Sequence, residues 1–93
     1  MQKKLVAVKV TKNSDTGKTA GAIAHRIREG NTVEVTAAGG ASVYIAVKAI
    51  ATARRFVQED GGFDLASYPK YTNIDMNEDT VKGISIIVER KQV

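Results

Sequence analysis

Apolar and polar positions alternate from Lys4 to Val10 in "KLVAVKV": Val6, Val8 and Val10 share one side, and Leu5, Ala7 and Lys9 the other. That period of two predicts a β-strand. The polar run from Lys12 to Thr16 predicts a loop, and Asn13, Ser14 or Asp15 can each cap a following helix. In that helix Ala20, Ile23, Ala24 and Ile27 recur at helical spacing and form one buried face, which Gly30-Asn31 ends. "TVEVTAAG" predicts a second strand, alternating at Val33 and Val35, and Gly39-Gly40 turns the chain into "ASVYIAVKAIATARRFV" (Ala41–Val57). At 100° per residue Val43, Ala46, Val47, Ile50, Ala53 and Val57 form one stripe of this second helix, with Ile45, Ala49 and Phe56 adjoining. Its apolar arc is wider than a one-sided surface helix needs, so the helix is expected to bury two sides.

Glu59–Gly62 predicts a turn, and "FDLASYPKYTNIDM" a strand in which Pro69 requires an edge position or a bulge. Asn77-Glu78-Asp79 predicts the next turn, and "VKGISIIVERK" a last strand. The order β-α-β-α-β-β implies an α+β, two-layer sandwich, with two helices on one face of a four-stranded mixed sheet. At 93 residues one domain is expected.

Charge adds a direction to this plan. The net charge of +4 is unevenly spread. Residues 1–28 carry seven basic groups, Lys3 among them, against one acid, while residues 29–93 sum to −2. A polyanionic partner docked on the N-terminal part is therefore expected. The chain has no cysteine, which rules out disulfide and thiolate-metal chemistry and fits a reducing cytoplasm. Lys9 interrupts any signal-peptide core near the N-terminus, and no apolar run reaches membrane-spanning length, so no membrane association is expected.

Several candidate motifs carry chemistry. Gly17-Lys18-Thr19 ends like a phosphate-binding P-loop, but Lys12 stands where the first glycine is required. Asp15 places a carboxylate inside the would-be nest, and no strand ending in a magnesium-binding Asp follows. A nucleotide P-loop is excluded. Lys12 and Lys18 beside a helix N-terminus remain candidates for a backbone phosphate. The Gly39–Ser42 turn, with Gly39, Gly40 and Ser42, is a second candidate anion contact. Tyr68 and Tyr71 flank Lys70, an aromatic-basic pattern seen in single-strand binders, but a regular strand puts the two rings on opposite faces. Arg54 and Arg55 complement the end of the second helix. His25 has no placed partner, and Asp75, Glu78 and Asp79 read as a solvated turn, so neither a metal site, a cofactor nor an enzyme is expected.

"TAGAIA" (Thr19–Ala24), "AVKAIATAR" (Ala46–Arg54) followed by Phe56-Val57, "DL…YPKYTNI" (Asp64 to Ile74) and "IIVE" (Ile86–Glu89) resemble the stage V sporulation protein S family. The likeness runs from about Lys9 to Glu89. It implies an Alba-like fold and a non-enzymatic regulator binding DNA or RNA, active in sporulation or cell division. It also implies a homodimer or larger homo-oligomer packed largely through the second helix, with Ile45, Ala49, Thr52 and Phe56 as the interface row. Nucleic-acid contacts are implied at the first strand-helix loop, at the second strand-helix turn and at the C-terminal hairpin. That places Lys12, Lys18, Gly39, Gly40, Ser42, Lys70 and Tyr71 at the interface. The turn "AAGGAS" lacks the arginines of the archaeal chromatin proteins, and the hairpin tip is acidic. The alternative reading is a protein-interaction module whose partner meets Tyr44, Lys48 and Arg55. A small-molecule site at Gly17-Lys18 is a third.

Overall fold

The computed structural model describes residues 4–91, so Lys3 lies outside the described residues. The elements are β1 (Leu5–Val10), α1 (Thr16–Arg28), β2 (Thr32–Ala37), α2 (Gly40–Gly61), β3 (Asp64–Met76) and β4 (Asp79–Lys91). The sheet order is β1-β2-β4-β3. β1 and β2 run parallel, because α1 carries the chain back to the same end of the sheet, and the other pairs are antiparallel.

Register decides which side chains meet. Val8 lies opposite Val35, and Val35 opposite Ile86. Val33, Val35, Ala37, Ile86 and Val88 are buried with Ala20, Ile23, Ala24 and Ile27 of α1 and Ala46, Ala49, Ala53 and Val57 of α2. Both helices thus cover one sheet face, and the other stays open. The alanines keep the buried side of α2 thin, which lets its backbone approach closely.

α2 differs from expectation in length and rotation. It continues through Glu59 and Asp60 to Gly61, and Gly62 in the left-handed region (φ 68°) closes it. Arg54 and Arg55 therefore lie about two turns before its end and do not complement its C-terminus. Arg54 instead clasps Asp64 through two hydrogen bonds, Nε to Oδ1 at 2.6 Å and Nη2 to Oδ2 at 2.9 Å. Val47, expected in the core stripe, is 52% exposed, while Ser42 and Ala49 are buried. The helix is rolled toward α1, where Arg28 donates to the Phe56 carbonyl and pairs with Asp60.

β3 is an edge strand, as Pro69 required, and the ladder passes through Pro69 opposite Ile86 without a bulge. The hairpin turn is shorter than expected: Met76 pairs with Asp79, leaving Asn77 and Glu78 between them. Asn77 takes φ 57°, which asparagine tolerates.

Arg54 first of all, with the Leu65 amide, holds the Asp64 carboxyl down to about 2, below the ordinary value of 3.8. A depressed carboxylate stabilises the fold above its unfolded pKa and loses that contribution as pH falls through the folded value. Thermal melts of Asp64→Asn should therefore lie below wild type by a constant margin above about pH 5, and the margin should close between about pH 4 and pH 2. Gly39 sits at φ 89°, ψ 150°, a region essentially reserved for glycine. Gly39→Ala should lower stability by about 1–3 kcal/mol in denaturant titrations.

Candidate nucleic-acid interface

The loop from Thr11 to Asp15 holds its own shape. Thr11 N donates to Ser14 Oγ (2.9 Å), Ser14 N donates to the Thr11 carbonyl (3.1 Å), and Asp15 caps α1 by accepting from Lys18 N (2.8 Å). An amide that a P-loop would offer to phosphate is thus held by the protein's own carboxylate. α2 opens differently: Gly39 is its N-cap, and no side chain caps it. Its first amides have no intrahelical acceptor and carry the positive end of the helix dipole.

A cavity of about 410 Å³ opens where the parallel strands β1 and β2 end. Ala37, Ala38 and Ser42 form its base, beside the start of α2. Thr11, Lys12 and Asn13 line one side, and Ile74 and Met76 of the hairpin the other. Lys9 and Thr36 reach it from the open sheet face. Gly83 makes the hairpin wall possible: a Cβ there would overlap the Ile74 side chain and come within 2.9 Å of the Ala37 carbonyl oxygen.

On the open face, register aligns Lys9, Thr36, Ser85 and Lys70 in one row across the four strands. With strands about 4.8 Å apart, the row spans roughly 14 Å from Lys9 to Lys70. Ser85 is fully buried and donates to Glu34 Oε2 at 2.6 Å, which satisfies its hydroxyl. The adjacent row brings Tyr68 beside Ile87 and Glu34. The Glu89 carboxylate near Tyr68 pushes its phenol up from the ordinary value.

The expected contacts are therefore divided. Lys12 and Ser42 line the cavity, Gly39 and Gly40 adjoin it, and Lys70 shares the open sheet face. Ser42 is itself buried, so only a small edge of it is offered to the cavity. Lys18 is exposed in the first turn of α1 but does not line the cavity. Tyr71 lies opposite Ile84 on the helix-bearing face, 73% exposed, with Lys82 Nζ 4.9 Å from its ring centre. Tyr68 is 54% exposed on the other face. The two rings do not form one stacking platform. The hairpin runs past the end of β2, whose register closes at Ala37 opposite Ile84, and ends in the exposed Asp75, Glu78 and Asp79.

Of the expected interface row on α2, Ala49 is fully buried within the chain, Ile45 and Phe56 are half-buried against the core, and Thr52, also half-buried, donates its hydroxyl to the Lys48 carbonyl. The helix face left open carries Tyr44, Val47, Lys48, Ala51 and Arg55, with Lys48 Nζ 4.7 Å from the Tyr44 ring centre. His25 pairs with Glu29 on the surface, and no cluster of three or more metal-ligating side chains occurs among the described residues. No helix among them is long and apolar enough to cross a membrane. Lys9, Thr36, Ile74, Met76 and Gly83 were not singled out by the sequence. Lys9 alone among them entered the count of basic groups in residues 1–28.

The architecture matches that of Alba from Thermoplasma volcanium with a TM-score of 0.57, over 96% of this chain and 100% of that one. Identity is 13%, so the match is one of fold, and the fold is Alba-like. The model of the stage V sporulation protein S family matches residues 6–91, which span all six elements but the first residue of β1. The chain belongs to the stage V sporulation protein S family.

Proposed function

We propose that this chain is a small, non-enzymatic nucleic-acid-binding regulator of the cytoplasm, working as a homodimer in the control of sporulation or cell division. The observation that carries the reading is the gathering of Lys9, Lys12 and Lys70 on and beside one open sheet face, next to the uncapped start of α2. Lysines on a flat face suit repeated phosphates, and the α2 amides add a fixed positive dipole. The acidic hairpin tip turns the backbone away from the far end of the arm. The family and the Alba-like fold support the same reading.

Binding of this kind is salt-sensitive, because each neutralised phosphate releases counterions. Labelled duplex DNA, single-stranded DNA and RNA should be titrated at several salt concentrations. A steep fall of affinity with salt is expected for at least one of them. Joint replacement Lys9→Ala and Lys12→Ala should flatten the logarithmic slope by about two. Absence of binding to all three at low salt would defeat the reading.

The open face of α2 supports self-association. Tyr44 and Val47 are both more than half exposed there, an apolar pair that a second copy of the chain can cover. Val47→Asp should raise the dimer dissociation constant at least about tenfold in sedimentation experiments. A wild-type protein that sediments as a monomer at every concentration would remove the homodimer from the proposal.

A further inference from the structure

We infer that the cavity between the Thr11–Asn13 loop and the hairpin receives one unstacked nucleotide, with its base inside and its phosphate at Lys9 and Lys12. The inference rests on the nucleic-acid reading above and names the form of ligand that the cavity selects. Three features lead to it.

The first is shape. A volume of about 410 Å³ falls within the range of small-ligand pockets, about 300–1,000 Å³. A base stacked and paired within a duplex cannot enter a recess of this kind, whereas a splayed base can. A surface that only tracked a duplex backbone would need no such recess.

The second is the chemistry of the walls. Ile74 and Met76 offer an apolar side on which a base can lie, and a thioether packs favourably on an aromatic ring. Thr11 and Asn13 of the loop, with Thr36 on the sheet, supply hydroxyl and amide groups that can both donate and accept. That is the combination a base edge requires. The third is charge: Lys9 and Lys12 border the cavity, and the uncapped amides of α2 start beside its base at Ser42. Among the described residues no carboxylate lines it. An apolar ligand would leave the two lysines unused, and a bare phosphate would leave the Ile74–Met76 wall unused.

The hairpin wall is also adjustable without unfolding the core. Met76 is 47% exposed and outside the buried cluster, so Met76→Ala tests the cavity while leaving the fold intact.

The decisive experiment compares fluorescence anisotropy of one labelled oligonucleotide as a single strand and as a duplex, at one salt concentration. The single strand is expected to bind more tightly. Met76→Ala should weaken single-strand binding about fivefold and leave duplex binding unchanged. Equal affinities for the two forms, with no effect of Met76→Ala, would overturn the inference. A steep salt dependence in that case would leave the nucleic-acid reading standing, whereas no binding at all would remove both. A parallel titration with adenosine and uridine monophosphates, followed by amide chemical shifts, separates the sources of the nucleotide. Saturable shifts at Thr11, Asn13 and Thr36 with an affinity matching that of the oligonucleotide assign the site to a free nucleotide. Much weaker shifts at the same residues assign it to a unit of a polymer.

Discussion

The side-chain period of two in a sheet covered on one face is the constraint from which this structure follows. Burying Val33, Val35 and Ala37 of β2 beneath two helices fixes the register of both neighbours, Val8 of β1 on one side and Ile86 of β4 on the other. A slip by one residue would turn every valine to solvent. The same register turns Lys9, Thr36, Ser85 and Lys70 to the open face as a single row. Lys9 and Lys70 thus stand on the reverse side of the core, with Glu34 in the adjacent row, held in place by the burial energy of residues they never touch.

The two helix N-termini show how local chemistry divides similar geometry. Both follow a strand of the parallel pair. Asp15 closes the first with its own carboxylate, while Gly39, held at a backbone angle open to glycine, leaves the second uncapped beside the cavity. The other wall depends on a missing side chain. Gly83 has no Cβ, so Ile74 can fold across it and bring Met76 toward the ends of β1 and β2. A hairpin that would otherwise be a plain extension becomes one side of a recess.

Two ion pairs accompany the roll of α2. Arg28 ties its end to α1 at Asp60, and Arg54 ties its other flank to the start of β3 at Asp64. Between these two ties the Ala49 side faces inward and the Tyr44–Val47 side outward. Exposed ion pairs contribute little to stability by themselves, so the roll is set by the burial of Ala46, Ala49, Ala53 and Val57, and the two pairs accompany it. The exposed Tyr44–Val47 face follows from that orientation.

Much of this was legible in the sequence. Alternation in "KLVAVKV" and "TVEVTAAG", helical spacing from Ala20 to Ile27, and Pro69 as an edge marker determined the element order, the layering and the fold, because each depends on a local period or a single backbone property. The failed P-loop was legible as well, since a missing glycine and an intruding Asp15 are local facts. The extent of α2 beyond Val57 was not, because the left-handed Gly62, rather than the preceding glycine, sets the stop. Nor was the partner of Arg54, ten residues away, or the inward turn of Ala49, which depends on where α1 packs. The cavity was least visible of all. It assembles Lys9, Thr36 and Met76 from three strands over a glycine at position 83. Such a meeting is decided by cross-strand register and twist, which only the folded chain possesses.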